Sequence, residues 1–202
     1  AIIDAGAVER IKELVLHAPL SVQSEMTACT AVLALSEDLK PQLLDMGICE
    51  VLLPLTDSPS IEVQGNSAAA LGNLSSKADD YAPFNAVWDK PAGGLHGYLV
   101  RFLESEDTTF QHIAVWTLIQ LLESGNHELE QHIRDSPHVL DLVRQLQSRI
   151  GTFESEHEQA DTSTAADTSG QDVSPEREIA ALSRRIEEIL FEESDDGTSD
   201  AK

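Results

Sequence analysis

A thirteen-residue segment, VQGNSAAALGNLS at residues 63–75, constrains the fold most, because altered copies of it occur on both sides. The upstream copy is VQSEMTACTAVLA at residues 22–34, and the downstream copy is FQHIAVWTLIQLL at residues 110–122. The first two copies are 41 residues apart and the last two are 47 apart. Helical repeats with a period of roughly 40–47 residues stack into solenoids with two or three helices per unit. The spacing therefore predicts an all-α stacked architecture.

The repeat extends beyond these three copies. Residues 2–6, IIDAG, match residues 43–47, LLDMG, at the same offset of 41. The next copy of this glycine is Gly94, which implies an insertion of six residues before it. We expect the inserted segment, residues 78–93, to form a longer first helix followed by a Pro-Gly turn. A fourth, partial unit is recognisable in residues 129–150.

The composition changes abruptly after the fourth unit and divides the chain. We expect a helical solenoid at residues 1–150 and a disordered acidic linker at residues 151–175, which are rich in Ser, Thr, Asp, Glu and Gln. Residues 176–191 return to a helical pattern with one apolar face, and residues 192–202 form an acidic tail that we expect to be disordered.

The predicted helix at residues 176–191 has two interpretations. It could complete the fourth unit and cover the apolar end that every solenoid must cap. It could instead be a ligand helix that occupies the concave surface of this chain or of another protein. The first interpretation is favoured.

The charge of the chain limits its partners. The formal net charge of the 202 residues is −23, with 36 acidic side chains against 13 Lys and Arg. Nucleic acid and an electrostatically bound anionic membrane are therefore not expected as partners. No apolar run approaches the ~18 residues that cross a bilayer, so we expect no direct membrane insertion.

Two features concern the compartment and the chain start. Cys29 and Cys49 fall within apolar helical patterns and form no CxxC pair, which predicts two buried free thiols in a reducing compartment. The first residues, AIIDAGAVER, begin within a repeat and lack the features of a signal peptide. We expect the chain to be the C-terminal part of a longer protein.

No catalytic constellation is visible in the spacing of reactive residues. His127-Glu128 followed by His132 differs from a zinc-binding HExxH because the second imidazole is displaced by ~100° around the helix. The glycine-rich segment GNSAAALG at residues 65–72 lacks the lysine of a phosphate-binding loop. We therefore expect no enzyme activity, no cofactor and no bound metal.

The functional residues are expected on the long third helix of each unit, on the side that faces the concave surface. Asn73 and Ala69 lie one turn apart there, and Gln120 and Trp116 are the equivalent pair in the next unit. A side-chain amide can donate to and accept from the backbone of an extended peptide, and an indole provides an apolar wall. Two further residues, Asn66 and His112, extend the same stripe. The alternative is that Trp116 belongs to the core and Gln120 is merely solvated.

The residues AAALGNLS at positions 68–75 resemble the third helix of armadillo repeats, as in catenins and nuclear import adaptors. The resemblance implies a right-handed superhelical solenoid of about three and a half repeats. It also implies that Asn73 and Trp116 stand where that family binds extended peptides. Val32 and Gln120 occupy the asparagine column in the other two copies.

Residues 63–77 and 93–124 are similar to the C-terminal repeats of fungal vacuolar armadillo proteins. This resemblance implies an adaptor on the cytosolic face of the vacuole membrane, anchored by acylation upstream of residue 1. It would recruit proteins for vacuole inheritance, nucleus–vacuole contacts and autophagy through its groove. Two alternatives are a catenin-like or import-adaptor-like peptide receptor, and a structural end module whose groove holds its own C-terminal helix. The oligomeric state is not predicted.

Overall fold

The computed structural model describes residues 6–90, 93–158 and 174–191, and every regular element within them is a helix. Eleven helices lie in these residues: α1 (Ala7–His17), α2 (Leu20–Leu33), α3 (Lys40–Asp45), α4 (Ile48–Leu55), α5 (Ile61–Ser75), α6 (Ala82–Ala86), α7 (Gly94–Leu103), α8 (Thr108–Leu122), α9 (His127–Arg134), α10 (Pro137–Glu158) and α11 (Pro175–Phe191).

The helices form units of three that repeat along the chain. Helices α3–α5, α6–α8 and α9–α11 are three such units, and α1 and α2 correspond to the second and third helices of an earlier one. The third helices form a row, in which α2 packs on α5, α5 on α8 and α8 on α11. The prediction of an all-helical solenoid is confirmed.

Glycine stands directly before the second helix in the first three units. Gly47 has a φ of 70° directly before α4, and Gly6 has a φ of 73° directly before α1. This left-handed conformation is one that glycine adopts without steric cost. At Gly94 (φ 55°) a Cβ atom would also lie 2.3 Å from the Val87 carbonyl oxygen. The glycine column of the sequence is therefore a backbone requirement.

A glutamine in the first turns of α5 and of α8 ties each of these two helices to the loop before it. The side-chain amide of Gln64 donates to the carbonyl of Ser58, and that of Gln111 donates to the carbonyl of Ser105. Each glutamine thus holds the residue six positions earlier. The loop carbonyls would otherwise lack partners inside the chain, which explains why the same residue type recurs at this position.

The inserted segment does not form the longer first helix that the sequence predicts. Helix α6 has only five residues, fewer than the six of α3. The chain turns back after it, and the Val87 and Trp88 carbonyls accept hydrogen bonds from Leu95 and His96 (3.0 and 3.2 Å). Burial of aromatic side chains decides this arrangement, because Phe84 and Trp88 enter the core on either side of the turn.

Two further predictions are corrected by the structure. Cys49 is buried, but Cys29 is exposed, because α2 is covered by another third helix along only one flank in the described residues. Two apolar side chains at the end of α2 and just after it are also exposed, Val32 by 66% and Leu35 by 64%. Helix α10 continues to Glu158, so the first eight residues of the predicted linker are helical. Residues 159–173 and 192–202 lie outside the described residues.

Helix α11 packs along α8 and α10 with its apolar side. Ile179, Ile186 and Leu190 are buried in that contact. The Arg134 guanidinium of α9 donates to the carbonyl of Leu190 near the end of α11, where a cation is favoured by the helix dipole. Helix α11 therefore occupies the fourth place in the row of third helices.

The two glycines of α5 admit aromatic side chains of α8. A Cβ atom on Gly72 would lie 2.6 Å from Cζ3 and 2.9 Å from Cε3 of the Trp116 ring. A Cβ on Gly65 would lie 3.5 Å from Cε1 of Phe110, which is an ordinary contact distance. Gly72 is thus required by packing, whereas Gly65 leaves room for a methyl group.

We expect opposite effects from the same substitution at these two glycines. Alanine is favoured over glycine in a helix by about 1 kcal/mol, so Gly65→Ala should leave the free energy of unfolding unchanged or raise it. Gly72→Ala should lower it by about 1–2 kcal/mol, because overpacking against the indole outweighs that gain. Urea denaturation followed by circular dichroism measures both values. Equal effects at the two positions would contradict the packing argument.

Candidate peptide-binding face

The six residues predicted to contact a partner lie on two adjacent third helices. All six are partly exposed, at a spacing that keeps them on one side of each helix. We call them the third-helix stripe: Asn66, Ala69 and Asn73 on α5, and His112, Trp116 and Gln120 on α8. The packing of α5 on α8 brings the two halves of the stripe side by side.

The two asparagines of α5 are partly used within the chain. The Asn73 Nδ2 atom donates to the Ala31 carbonyl oxygen at 2.9 Å, and Asn66 Nδ2 donates to the Ser24 carbonyl oxygen at 3.2 Å. Both amides thereby tie α5 to α2. A primary amide has two N–H donors and an acceptor oxygen, so each keeps hydrogen-bonding capacity for a ligand.

The polar groups of Trp116 and Gln120, in the α8 half of the stripe, differ from the two asparagines in their use within the chain. The indole of Trp116 packs against Gly72 of the neighbouring helix. Within the described residues, neither its N–H group nor the side-chain amide of Gln120 has a hydrogen-bond partner. Both side chains are partly exposed, so their polar groups are accessible from solvent. The Trp116 side chain therefore packs against α5 and also forms part of the accessible face.

The third residue of α8, His112, lies at the contact with the C-terminal helix. Its Nε2 atom is buried and lies 3.3 Å from Oε1 of Glu178. The distance is that of an ion pair, but the ring nitrogen lacks the alignment of a hydrogen bond. His112 therefore serves the junction of α8 and α11 as well as the stripe.

Helix α11 adds charged groups beside the stripe that the sequence alone did not assign to it. Arg185 Nε lies 3.6 Å from Oε1 of Glu123, directly after α8, while Glu178 approaches the other end of α8. The helical pattern of residues 176–191 could have suggested these positions. Their partners depend on how α11 returns to α8, which no local pattern specifies.

Two buried groups, the Cys49 thiol and the Tyr98 hydroxyl, are held in their protonated forms. Burial raises the pKa of the Cys49 thiol to about 12, so this thiol stays protonated at neutral pH. Burial also raises the pKa of Tyr98, whose hydroxyl lies 3.3 Å from Oγ1 of Thr117. Neither group is prepared to act as a nucleophile or base.

The two histidines of the HExxH-like segment are not brought together. The His127 side chain is 97% exposed, whereas the His132 ring stacks on Trp88. In the part of the chain that the structure describes, no group of three or more His, Cys, Asp or Glu side chains is arranged to hold a metal ion. None of the helices in these ranges is both long and apolar enough to cross a membrane.

Comparison with known proteins identifies the repeat. The family model of the armadillo/beta-catenin-like repeat matches residues 36–76, which contain α3, α4 and α5. The chain therefore contains an armadillo repeat. The match covers the whole second unit and includes Asn66, Ala69 and Asn73.

Several curated fungal proteins are similar to this armadillo-repeat chain. Vacuolar protein 8 of Schizosaccharomyces pombe is 62% identical over 149 residues, which are 74% of this chain and 27% of that protein. Vacuolar protein 8 of Aspergillus oryzae is 53% identical over 189 residues, 94% of this chain and 30% of that protein. The Saccharomyces cerevisiae protein of the same name is 46% identical over 143 residues, or 71% and 25%. The armadillo-repeat chain thus spans less than a third of the length of these relatives.

Solved structures agree on the fold of the armadillo-repeat chain. A crystal structure of an engineered protein superposes with a TM-score of 0.65 at 24% identity, covering 92% of this chain and 67% of the other. A second engineered protein gives a TM-score of 0.61 at 24% identity, with 95% and 84% covered. At this identity the likeness concerns the fold alone.

The contacts of the stripe predict different structural roles for its amides. Asn73→Ala should lower the free energy of unfolding by about 1 kcal/mol, because it removes the hydrogen bond to the Ala31 carbonyl. Gln120→Ala should change it by less than about 0.5 kcal/mol, because it removes a partly exposed side chain that has no partner in the described part of the chain. Urea denaturation of both variants provides the measurement. A larger loss for Gln120→Ala would show that this amide is structural.

Proposed function

We propose that the chain is a non-enzymatic interaction module that binds an extended segment of a partner protein along the third-helix stripe. The observation that carries this proposal is the pair Trp116 and Gln120, whose N–H and amide groups are accessible and have no partner among the residues that the structure describes. They stand beside Asn73, which retains one N–H and its oxygen. Side-chain amides next to an indole suit a peptide backbone with apolar side chains.

The stripe would hold a guest through a small number of directional contacts. The Gln120 amide would donate to a guest carbonyl and accept from a guest N–H, and Asn73 would do the same from the neighbouring helix. Each such hydrogen bond contributes about 0.5–1.5 kcal/mol. The indole of Trp116 would cover an apolar side chain of the guest, which adds about 1.5–3 kcal/mol when that side chain becomes fully buried.

The similar curated proteins suggest the setting in which this module acts. All those described above carry the name vacuolar protein 8, and we propose the cytosolic face of the vacuole membrane as the location of this chain. An upstream lipid anchor would hold it there. Vacuole inheritance, nucleus–vacuole contacts and autophagy are the processes for which it would recruit proteins.

The stripe can be tested with peptides instead of a known partner. Linear peptides from a displayed random library are selected on the wild-type chain and measured by fluorescence anisotropy. We expect Trp116→Ala and Gln120→Ala each to weaken their binding at least five-fold. Gln120→Ala is the decisive variant, because Trp116→Ala also removes packing against Gly72.

The matched control is Gln145→Ala. It also removes a glutamine side chain, but from the exposed surface of α10, the second helix of the fourth unit. Its affinity for the selected peptides should equal that of the wild type. Peptides that bind Gln120→Ala and the wild-type chain equally well would show that the guest lies elsewhere. Circular dichroism of each variant separates lost binding from lost structure.

We propose further that α11 is a cap that completes the fourth unit. Its principal contacts are with α8 and α10, the same contacts that an internal third helix makes with the preceding third helix and with its own unit. Arg144 of α10 reaches Glu187 at 3.2 Å, and Arg134 of α9 holds the Leu190 carbonyl. These contacts fix α11 to its own unit.

Two truncations test the cap. A chain that ends at Ser174 should have a markedly lower melting temperature and should aggregate, because Ile179, Ile186 and Leu190 no longer cover α8 and α10. A chain that ends at Phe191 retains the helix and should melt like the full chain. If the shorter chain keeps its melting temperature and binds the selected peptides more tightly, α11 is a displaceable ligand of the stripe.

A further inference from the structure

A second candidate site lies away from the row of third helices, where the third and fourth units meet. A pocket of about 310 Å³ opens between the turn after α6, the start of α7 and the junction of α9 with α10. Its walls include Trp88, His96 and His132, together with the carboxylates of Asp89 and Asp135. We call it the Trp88 pocket. Ligand sites span roughly 300–1,000 Å³, so this volume suits a single side chain.

One wall of the Trp88 pocket is a stack of aromatic rings. The ring centroids of Trp88 and His132 are 5.1 Å apart with an angle of 11° between the planes. His96 lies against the same indole at 5.9 Å and 44°. The rings come from the inserted segment, α7 and α9, so the fold assembles this wall from three separate elements. A planar group could continue the stack.

The indole of Trp88 provides an unused donor. The residue is only 3% exposed, and the pocket is lined by it. Its N–H group has no hydrogen-bond acceptor within the described residues, and the nitrogen is not sealed from solvent. Buried indoles usually find an acceptor for this N–H. An acceptor supplied by a ligand would fill that role here.

Two carboxylates line the pocket, together with the three histidines His96, His132 and His138. The side chains of Asp89 and Asp135 make no hydrogen bond or ion pair within the residues that the structure describes, and no Lys or Arg lines the pocket. The nearby His138 is already engaged, with its Nε2 atom 2.9 Å from Oε1 of Glu104. Unpaired carboxylates are common in so acidic a chain. These two indicate a ligand site only because they lie beside the aromatic wall and the indole donor.

From this combination we infer that the Trp88 pocket binds an arginine side chain of a partner protein. A guanidinium is planar and cationic, stacks on aromatic faces and donates to carboxylates with up to five N–H groups. It would stack on the partly exposed imidazole rings of His96 and His132, beside the buried indole, and donate to Asp89 and Asp135. The backbone carbonyl of the same arginine would accept from the indole N–H. Lysine carries the charge but lacks the plane, so the pocket discriminates between them.

The test uses two short peptide probes on the full 202-residue chain. Acetyl-Gly-Arg-Gly-amide and acetyl-Gly-Lys-Gly-amide are titrated while the indole N–H signal of Trp88 is followed in ¹H–¹⁵N spectra. The chain has two tryptophans, and a Trp116→Phe variant assigns their two signals. We expect the arginine peptide to shift the Trp88 signal to saturation and to bind at least five-fold more tightly than the lysine peptide.

Charge variants decide whether the pocket itself binds the peptide. Asp89→Asn and Asp135→Asn should each weaken arginine binding at least three-fold. Asp38→Asn, which removes the same charge from an exposed position between α2 and α3, should leave it unchanged. Gln120→Ala should also leave it unchanged, so the outcome is independent of the third-helix stripe. Equal binding of both peptides, equal losses in all three Asp variants or an unmoved Trp88 signal would each overturn the proposal.

Discussion

The close approach of the third helices is the constraint on which the rest of the structure depends. The indole of Trp116 occupies the space that a side chain on Gly72 would need, so at that point α8 supplies the side chain of the contact and α5 supplies none. The bare surface of α5 contributes little burial of its own. The aromatic side chains of the next helix supply that burial, which is why the small residues of one unit and the large residues of the following one belong together.

The same close approach creates the candidate binding face. Packing of α5 on α8 puts the two partly exposed halves of the third-helix stripe side by side. Asn73 reaches back to the Ala31 carbonyl and joins two units, while Gln120 makes no such bond to any residue in the described ranges. The face therefore has a structural half on α5 and a more available half on α8. The amides of one unit mainly hold the helices together, and the polar groups of the next unit are the ones available to a ligand.

Electrostatics reinforces the stacking despite the large acidic excess. Three of the scarce basic side chains donate to carbonyl oxygens at or near the ends of helices: Lys12 to Met46, Lys40 to Ser76 and Arg134 to Leu190. Helix C-termini carry partial negative charge, so cations are stabilising there. Each bond links helices that are well separated in sequence. The chain uses these cations internally and leaves acidic groups on its surface.

The sequence by itself determined the repeat, the glycine turns and the positions of the long helices, because these follow from local chemistry. A period of 41 residues, a glycine that must adopt positive φ at Gly47 and a glutamine that reaches its own preceding loop do not depend on distant contacts. Only the tertiary structure decided that α6 is short, that Cys29 is exposed, that His112 meets Glu178 and that Trp88 stacks on His132. Each of these depends on which helix packs beside the residue. A one-dimensional pattern gives the face of a helix but not the neighbour that covers it.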